Sequence, residues 1–464
     1  MLFTTFAYAA LLLATFVVYW TLPEQGAWPA LLLASLIFYA AWSVPFLVLL
    51  VASILVGYAS SHTIARTSGT ATDGPSGRRV LALTVFVLLG PLAFFKYSNL
   101  VLEAVAGATG RRLAPLALAL PLGISFYTFQ ILAYVIDVSR GASPEPSLLR
   151  FALFVLFFPH LNAGPIVRAH ELLPQLRRRV PFDGERTISG LVLICYGLVK
   201  KAVVADNLAV LVDGVYGGPG DARGGDVLIA TLAFGAQIYC DFSGYTDMAR
   251  GSARLFGIEL PFNFRSPYLA PRIDLFWRRW HITLSTWLRD YLYIPLGGNR
   301  VSPSRTRINL LVTMTLGGLW HGASLTFILW GFYHGVLLTV SRAVVGRQEP
   351  TDGMRRLIGV FVTFTFVQIG WAIFRARNLR TLFVLGGHVV ADPLGTNPLF
   401  HATAFLPLCV AFYAAHALSA TARARLPLEA PLLRPPLAAT WLALATVLVA
   451  VFGGPSVSFI YFRF

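Results

Sequence analysis

Hydrophobic positions in this chain come as long unbroken runs, without the two-residue alternation of half-buried strands. The runs occupy residues 5–22, 28–41, 45–60, 80–102, 116–138, 148–161, 188–215, 227–240, 308–322, 325–340, 357–374, 404–418 and 438–451. Because a membrane-crossing helix needs about 20 such residues, the pattern predicts an all-α polytopic membrane protein with about 10–12 transmembrane or re-entrant helices. Several runs are short or contain a proline (Pro91, Pro121), which predicts kinked or re-entrant segments. The opening stretch, MLFTTFAYAALLLATFVVYWTLP, has no basic leader and no small-residue cleavage site, so it reads as a retained span. Residues 67–77 (TSGTATDGPSG) and 214–225 (GVYGGPGDARGG) have the composition of surface turns. No repeat at a fixed period and no large polar stretch is evident, so the expectation is a single integral-membrane domain over residues 1–464.

Composition sharpens this reading. Of 464 residues, 56% are hydrophobic and 12% charged, whereas a soluble domain averages roughly 45–50% and about 25%. That little charge cannot coat several soluble domains. Three cysteines (Cys195, Cys240, Cys409) are too few and too scattered for a disulfide scaffold and read as packing residues. The net charge is +16, from 37 basic and 21 acidic residues, and only Lys96, Lys200 and Lys201 are lysines. The arginines sit in loops and at the ends of apolar runs, where membrane orientation and anionic headgroups favour them. A nucleic-acid partner is therefore not expected. The arginine fork also suits the phosphates of a cosubstrate.

Two stretches break the apolar pattern. Residues 241–307 mix aromatic, arginine and small polar residues, and within them 274–294 has helical spacing. Arg278, His281, Ser285 and Arg289 would share one face, with Trp280, Leu284, Trp287 and Tyr291 on another. An interfacial anchoring helix accounts for the arginines and tryptophans, but not for His281 and Ser285. The second stretch is GGLWHGAS at 317–324, which places His321 among small residues inside an apolar run. An ionisable group at membrane depth is a functional candidate, and imidazole suits a general base near neutral pH. A hydrogen-bonded structural histidine is the competing reading there, and it is the favoured one for His334. Asp241 and Asp247 need partners, for which nearby arginines are the expected source. His160, Asn162 and Arg168 end another apolar run and would line a polar entrance, whereas Lys200 and Lys201 would snorkel to an interface.

The GxSxG, HExxH and GxxxxGK[ST] signatures do not occur, and the nine histidines form no metal-ligand spacing with cysteine or carboxylate. The His-x4-Asp pattern of glycerolipid acyltransferases is also missing. Two classes stay open from the residues alone. One is an enzyme that uses His321 as a base; the other is a transporter or flippase with an intramembrane His/Asp proton relay.

FPHLNAGPIVR, KKAVVADNLA, DFSGYTDMARG, FWRRWHITLSTWLRDYLYIPLGGNR and LGGLWHGASLTFILWGFYHG, supported by PLGISFYTFQILAYVIDVSRG and WAIFRA, resemble the membrane-bound O-acyltransferases. The resemblance is greatest to the bacterial branch that holds alginate O-acetyltransferase and the teichoic-acid D-alanylation protein. The chain departs from the branch at Phe262 and His160. The resemblance implies a ring of helices about a central tunnel, a catalytic core over residues 118–340, and transfer of an acyl group, acetyl by preference. The donor would be a cytoplasmic thioester, acetyl-CoA or an acyl carrier protein, and no cofactor would be permanently bound. The acceptor would be a hydroxyl of a cell-surface polysaccharide, reached directly or through an extracytoplasmic transferase partner, from a multi-pass position in the bacterial cytoplasmic membrane. His321 would be the catalytic histidine and His281 the second, stabilising an oxyanion or orienting the donor. Arg278, Arg279, Arg289, Arg300 and Arg305 would form a basic mouth. Ser285, Trp320, Asp241, Asp247 and Asn162 complete the candidate binding set.

Overall fold

The computed structural model describes residues 3–67, 75–111, 113–162, 164–344, 353–425, 435–455 and 457–460, and every regular element among them is helical. Seven helices are long and apolar enough to cross a bilayer: Val44–Thr67, Ser76–Thr109, Gly184–Gly217, Gly224–Leu255, Leu325–Val344, Gly353–Arg375 and Pro398–Ser419. Four shorter apolar helices (Phe6–Thr21, Ile124–Ser139, Leu379–Ala391 and Pro436–Phe452) bring the total among the described residues to eleven. The chain is a multi-pass membrane protein, as its hydrophobic runs predict.

Several boundaries differ from the runs, each for a local reason. The run 116–138 becomes helical only at Ile124, after Gly123 turns the chain at φ 67. Only glycine fits there, since a Cβ would lie 2.7 Å from the Leu161 carbonyl oxygen. The run 148–161 breaks at Phe157 into Leu148–Leu156 and Phe158–Leu161, with Pro159 in the first turn of the second piece. The helix that begins at Gly224 does not stop at Asp241 but continues to Leu255, burying Ser243, Thr246, Arg250 and Ser252. Leu379–Ala391 had no counterpart among the runs because Arg380, Gly386, Gly387 and His388 interrupt it; its start is capped by Asn378, whose side chain accepts from the Thr381 amide at 2.8 Å. Residues 68–74 of the first expected turn lie outside the described residues.

The chain packs as two compact units, Met1–Ile194 with Tyr245–Pro261, and Cys195–Gly244 with Phe262–Phe464. In the first, Arg179 ties down the end of Phe6–Thr21. Its Nη1 donates to the carbonyls of Tyr19 and Leu22 at 2.7 and 2.9 Å while its amide donates to Glu24 at 2.8 Å. Gly190 and Gly251 let two helices of this unit meet backbone to backbone, a Cβ on Gly190 falling 2.9 Å from the Gly251 carbonyl oxygen.

In the second unit, Pro303–His321 and Leu325–Val344 form an antiparallel hairpin. A Cβ on Gly318 would overlap the Phe327 carbonyl oxygen, and one on Gly331 the Met314 carbonyl oxygen. Gly331→Val should therefore lower stability by about 1–3 kcal/mol through overpacking, measurable as an earlier thermal transition of the purified protein in detergent; an unchanged transition would show that the seam can relax.

This unit also buries a charge cluster. Lys201 Nζ lies 2.7 Å from both Asp206 and Asp241, with all three side chains at most 6% exposed. Its third donor reaches the Val457 carbonyl at 2.8 Å, and Asp241 accepts from the Ile460 amide at 2.7 Å. One expectation is corrected here: Lys201 does not snorkel to an interface but is buried, and it pairs with Asp241, for which arginines were the expected source. Lys200, next along the π-helical turn Val199–Ala205, lies over the Tyr196 ring at 4.2 Å.

Candidate functional site

His321 is the last residue of Pro303–His321, and Gly322 beyond it leaves the helix with extended backbone. Its ring lies edge-on to Trp320, Trp330 and Phe374 at centroid distances of 5.0, 5.2 and 5.5 Å. This aromatic cage leaves His321 5% exposed, in a low-dielectric setting where electrostatic contacts are strong. The His281 ring lies 6.5 Å away.

The expected continuous helix over 274–294 is broken at that histidine. Ile273–Arg279 ends, Trp280 is extended, and His281 adopts a left-handed conformation (φ 41, ψ 56) before Ile282–Leu288 resumes. Left-handed backbone is costly for a residue with a side chain and persists only where surroundings impose it. Asn263 does so: its carbonyl accepts from the Ile282 amide at 3.0 Å, and its Oδ1 accepts from the Thr283 amide and hydroxyl at 3.2 and 2.7 Å. Phe242 closes over the His281 ring edge-on at 4.6 Å. Burial pushes the His281 imidazole down to about 3, so it is neutral at physiological pH.

A cavity of about 210 Å³ runs along the hairpin. Leu310, Thr313, Met314, Gly317 and His321 contribute one stripe at helical spacing, and Trp330, Leu338 and Arg342 the opposing one. From Leu310 to His321 the helix rises about 16 Å, the length of lining that this helix supplies. Trp277, Arg278, Leu284, Ser285, Leu288, Arg289 and Tyr293 form the remaining wall. Toward the far end, Arg342 Nη1 donates to the Tyr293 hydroxyl at 3.3 Å, and exposed Arg289 forks onto Asp290 at 2.6 and 3.2 Å. Arg278 is exposed, and the lining carboxylate of Asp274 is already engaged by Arg272 at 2.7 and 2.9 Å. The opening is thus positive, the walls are apolar, and an imidazole stands at the inner end.

Residues 35–375 match the model of the membrane-bound O-acyltransferase family. The chain belongs to that family.

Membrane-bound O-acyltransferases similar to it include the probable alginate O-acetylase of Pseudomonas aeruginosa, 43% identical over 75% of this chain and 67% of the relative. The probable alginate O-acetylase of Azotobacter vinelandii is 42% identical over 82% of this chain and 76% of its own length. The peptidoglycan O-acetyltransferase of Helicobacter pylori is 40% identical over 77% and 73%. This family member is accordingly an acyltransferase of the membrane, of O-acetyltransferase type.

Of the candidate residues, His321, Arg278, Ser285 and Arg289 line the cavity. His281 and Trp320 pack behind it, 6.0 Å apart by ring centroids. Arg279 points away, its Nη1 donating to the Leu269 carbonyl at 3.3 Å, while Arg300 and Arg305 are exposed and line no part of it. Asp241 belongs to the lysine cluster. Asn162 and Asp247 fall in the first unit, and His160, Asn162 and Arg168 are all buried there, which corrects the expectation that these three line a polar entrance. Residues the sequence reading missed include Gly317, Met314, Trp330, Tyr293 and Arg342. Stepping back from His321 in threes and fours would have found the first two. The others depend on hairpin register.

Proposed function

We propose that this protein transfers an acyl group, acetyl by preference, from a thioester on a phosphopantetheine arm to a hydroxyl of a cell-surface polysaccharide. The single observation that supports this most is the cavity joining an arginine-rich opening to His321. Arg278, Arg289 and Arg342 offer planar donor forks to the phosphates of CoA or an acyl carrier protein. The narrow apolar passage suits an arm that carries the thioester inward. The relatives named for alginate and peptidoglycan acetylation support a polysaccharide acceptor, and the cytoplasmic membrane is the setting in which a cytoplasmic donor and an extracytoplasmic acceptor meet. Delivery of the acyl group through an extracytoplasmic transferase fits the same scheme.

In the reaction, the acceptor hydroxyl oxygen attacks the thioester carbonyl while His321 takes its proton. The tetrahedral intermediate collapses with cleavage of the C–S bond, and the thiolate leaves with the electron pair. The imidazolium then returns its proton to the thiolate, so the products are an ester and a free thiol. A thiolate is a good leaving group, so one base suffices for both transfers.

The test is reconstitution of the purified protein in vesicles with acetyl-CoA and alginate oligosaccharides, with mass spectrometry for an acetyl-sized ester. Ester formation supports the proposal; solute movement without ester formation overturns it. Replacing Arg278, Arg289 and Arg342 together by alanine should raise the KM for acetyl-CoA at least about tenfold with kcat little changed, the mark of lost uniform binding. An unaltered KM in the triple variant would remove the arginines from donor binding.

A further inference from the structure

The corner that carries His281 contains a device for choosing which of its ring nitrogens holds the proton. Asn263 is 1% exposed and its Oδ1 receives the Thr283 backbone amide at 3.2 Å. A backbone N–H only donates, so the amide atom facing it must be the oxygen; the flipped amide would set donor against donor. The Thr283 hydroxyl, at 2.7 Å, donates to the same oxygen. Nδ1 of His281 stands 3.4 Å from that oxygen. An amide oxygen carries no hydrogen, so the only hydrogen bond available to this pair is one that Nδ1–H donates. The Nδ2 of Asn263, buried, meets no acceptor among the described residues, so the amide is held by its oxygen alone.

We infer that Asn263 is a positioning residue that holds His281 as the Nδ1–H tautomer, leaving Nε2 as a lone-pair acceptor. The inference rests on the acyl-transfer reading for its functional meaning and excludes one of the two roles that the resemblance leaves open for His281, stabilisation of an oxyanion. A neutral imidazole with its only proton committed to Asn263 has no N–H to offer an oxyanion. Its Nε2 can only accept, and the His321 ring, 6.5 Å away between centroids, is a neighbour too distant for a direct hydrogen bond. The same asparagine oxygen serves two purposes, fixing the left-handed backbone through Thr283 and the tautomer through Nδ1.

Two measurements on the full-length protein in nanodiscs test this. In nitrogen-15 NMR of histidine-labelled protein, with the His281 signals assigned by their loss in His281→Gln, the wild type should show a protonated Nδ1 and a bare Nε2, and Asn263→Ala should shift His281 toward the Nε2–H form. A wild-type His281 protonated at Nε2 overturns the inference whether or not transfer is observed. In assays with acetyl-CoA and alginate oligosaccharide, Asn263→Ala should lower kcat about 10–100-fold, as loss of an orienting partner typically does, with the donor KM within about threefold of wild type. Asn263→Asp retains the acceptor oxygens and should recover most of that kcat. If Asn263→Ala keeps full kcat, or if folded Asn263→Asp is as impaired as the alanine variant, Asn263 does not act through the histidine. A wild type that forms no ester at all instead rejects the acyl-transfer reading, and the tautomer measurement still decides the role of Asn263.

Discussion

His321→Ala should lower acyl transfer by about 10²–10⁴-fold, the usual contribution of a positioned general base, while the protein still inserts and folds. The imidazole caps the inner end of the cavity, and its removal leaves the arginine opening and apolar walls intact. The donor KM should therefore change little, and the loss should fall on kcat. His321→Gln tests shape against chemistry: it keeps bulk and a hydrogen-bonding end but has no proton-accepting nitrogen, so it should be nearly as impaired. The measurement is ester formation by purified variants at saturating acetyl-CoA, with folding checked by size-exclusion profile. Full activity in His321→Ala would end the base assignment.

The largest stability effect is expected at Lys201. Its ammonium satisfies two carboxylates and the Val457 carbonyl, all within 2.8 Å. Lys201→Met fills much the same space but removes the ammonium that lies 2.7 Å from both buried aspartates. Breaking a buried ion pair from one side typically costs about 3–5 kcal/mol, because the remaining charge is stranded. The variant should melt well below wild type and lose its hold on the 457–460 segment, which proteolysis near the C-terminus would report. Adding Asp206→Asn and Asp241→Asn to Lys201→Met should recover part of the loss, since the cost comes from uncompensated charge. If the triple variant is no more stable than Lys201→Met, packing is the main source of the loss.

Much of the fold is legible in the sequence because hydrocarbon is an undemanding solvent to satisfy: it asks only for long apolar helices, and these appear as runs. His321 stands out for the same reason, an ionisable residue among apolar and small ones. What escapes sequence reading depends on partners distant along the chain. Lys201 and Asp241 are forty residues apart, so nothing local distinguishes a buried lysine from a snorkelling one. Trp330 and Arg342 join His321 only through the antiparallel register that the glycine seam sets. The break at His281 is hidden because helical spacing counts residues without regard to φ, and the interruption is imposed from Asn263, eighteen positions upstream. The continuation of the helix past Cys240 to Leu255 is hidden because polar residues end the apolar run at Asp241, whereas the helix buries them.

The backbone contact between Gly318, Gly331 and their opposing carbonyls has a mechanical consequence. Helices that touch with no side chains between them cannot slide or roll without collision, so His321 and the Trp330 side of the passage travel as one stiff piece. Breathing of the cavity then falls to the opposite wall, where Ile273–Arg279 and Ile282–Leu288 are only two turns long and are joined through Trp280 and His281. Amide exchange should accordingly be slow along the hairpin and faster across that short-helix pair.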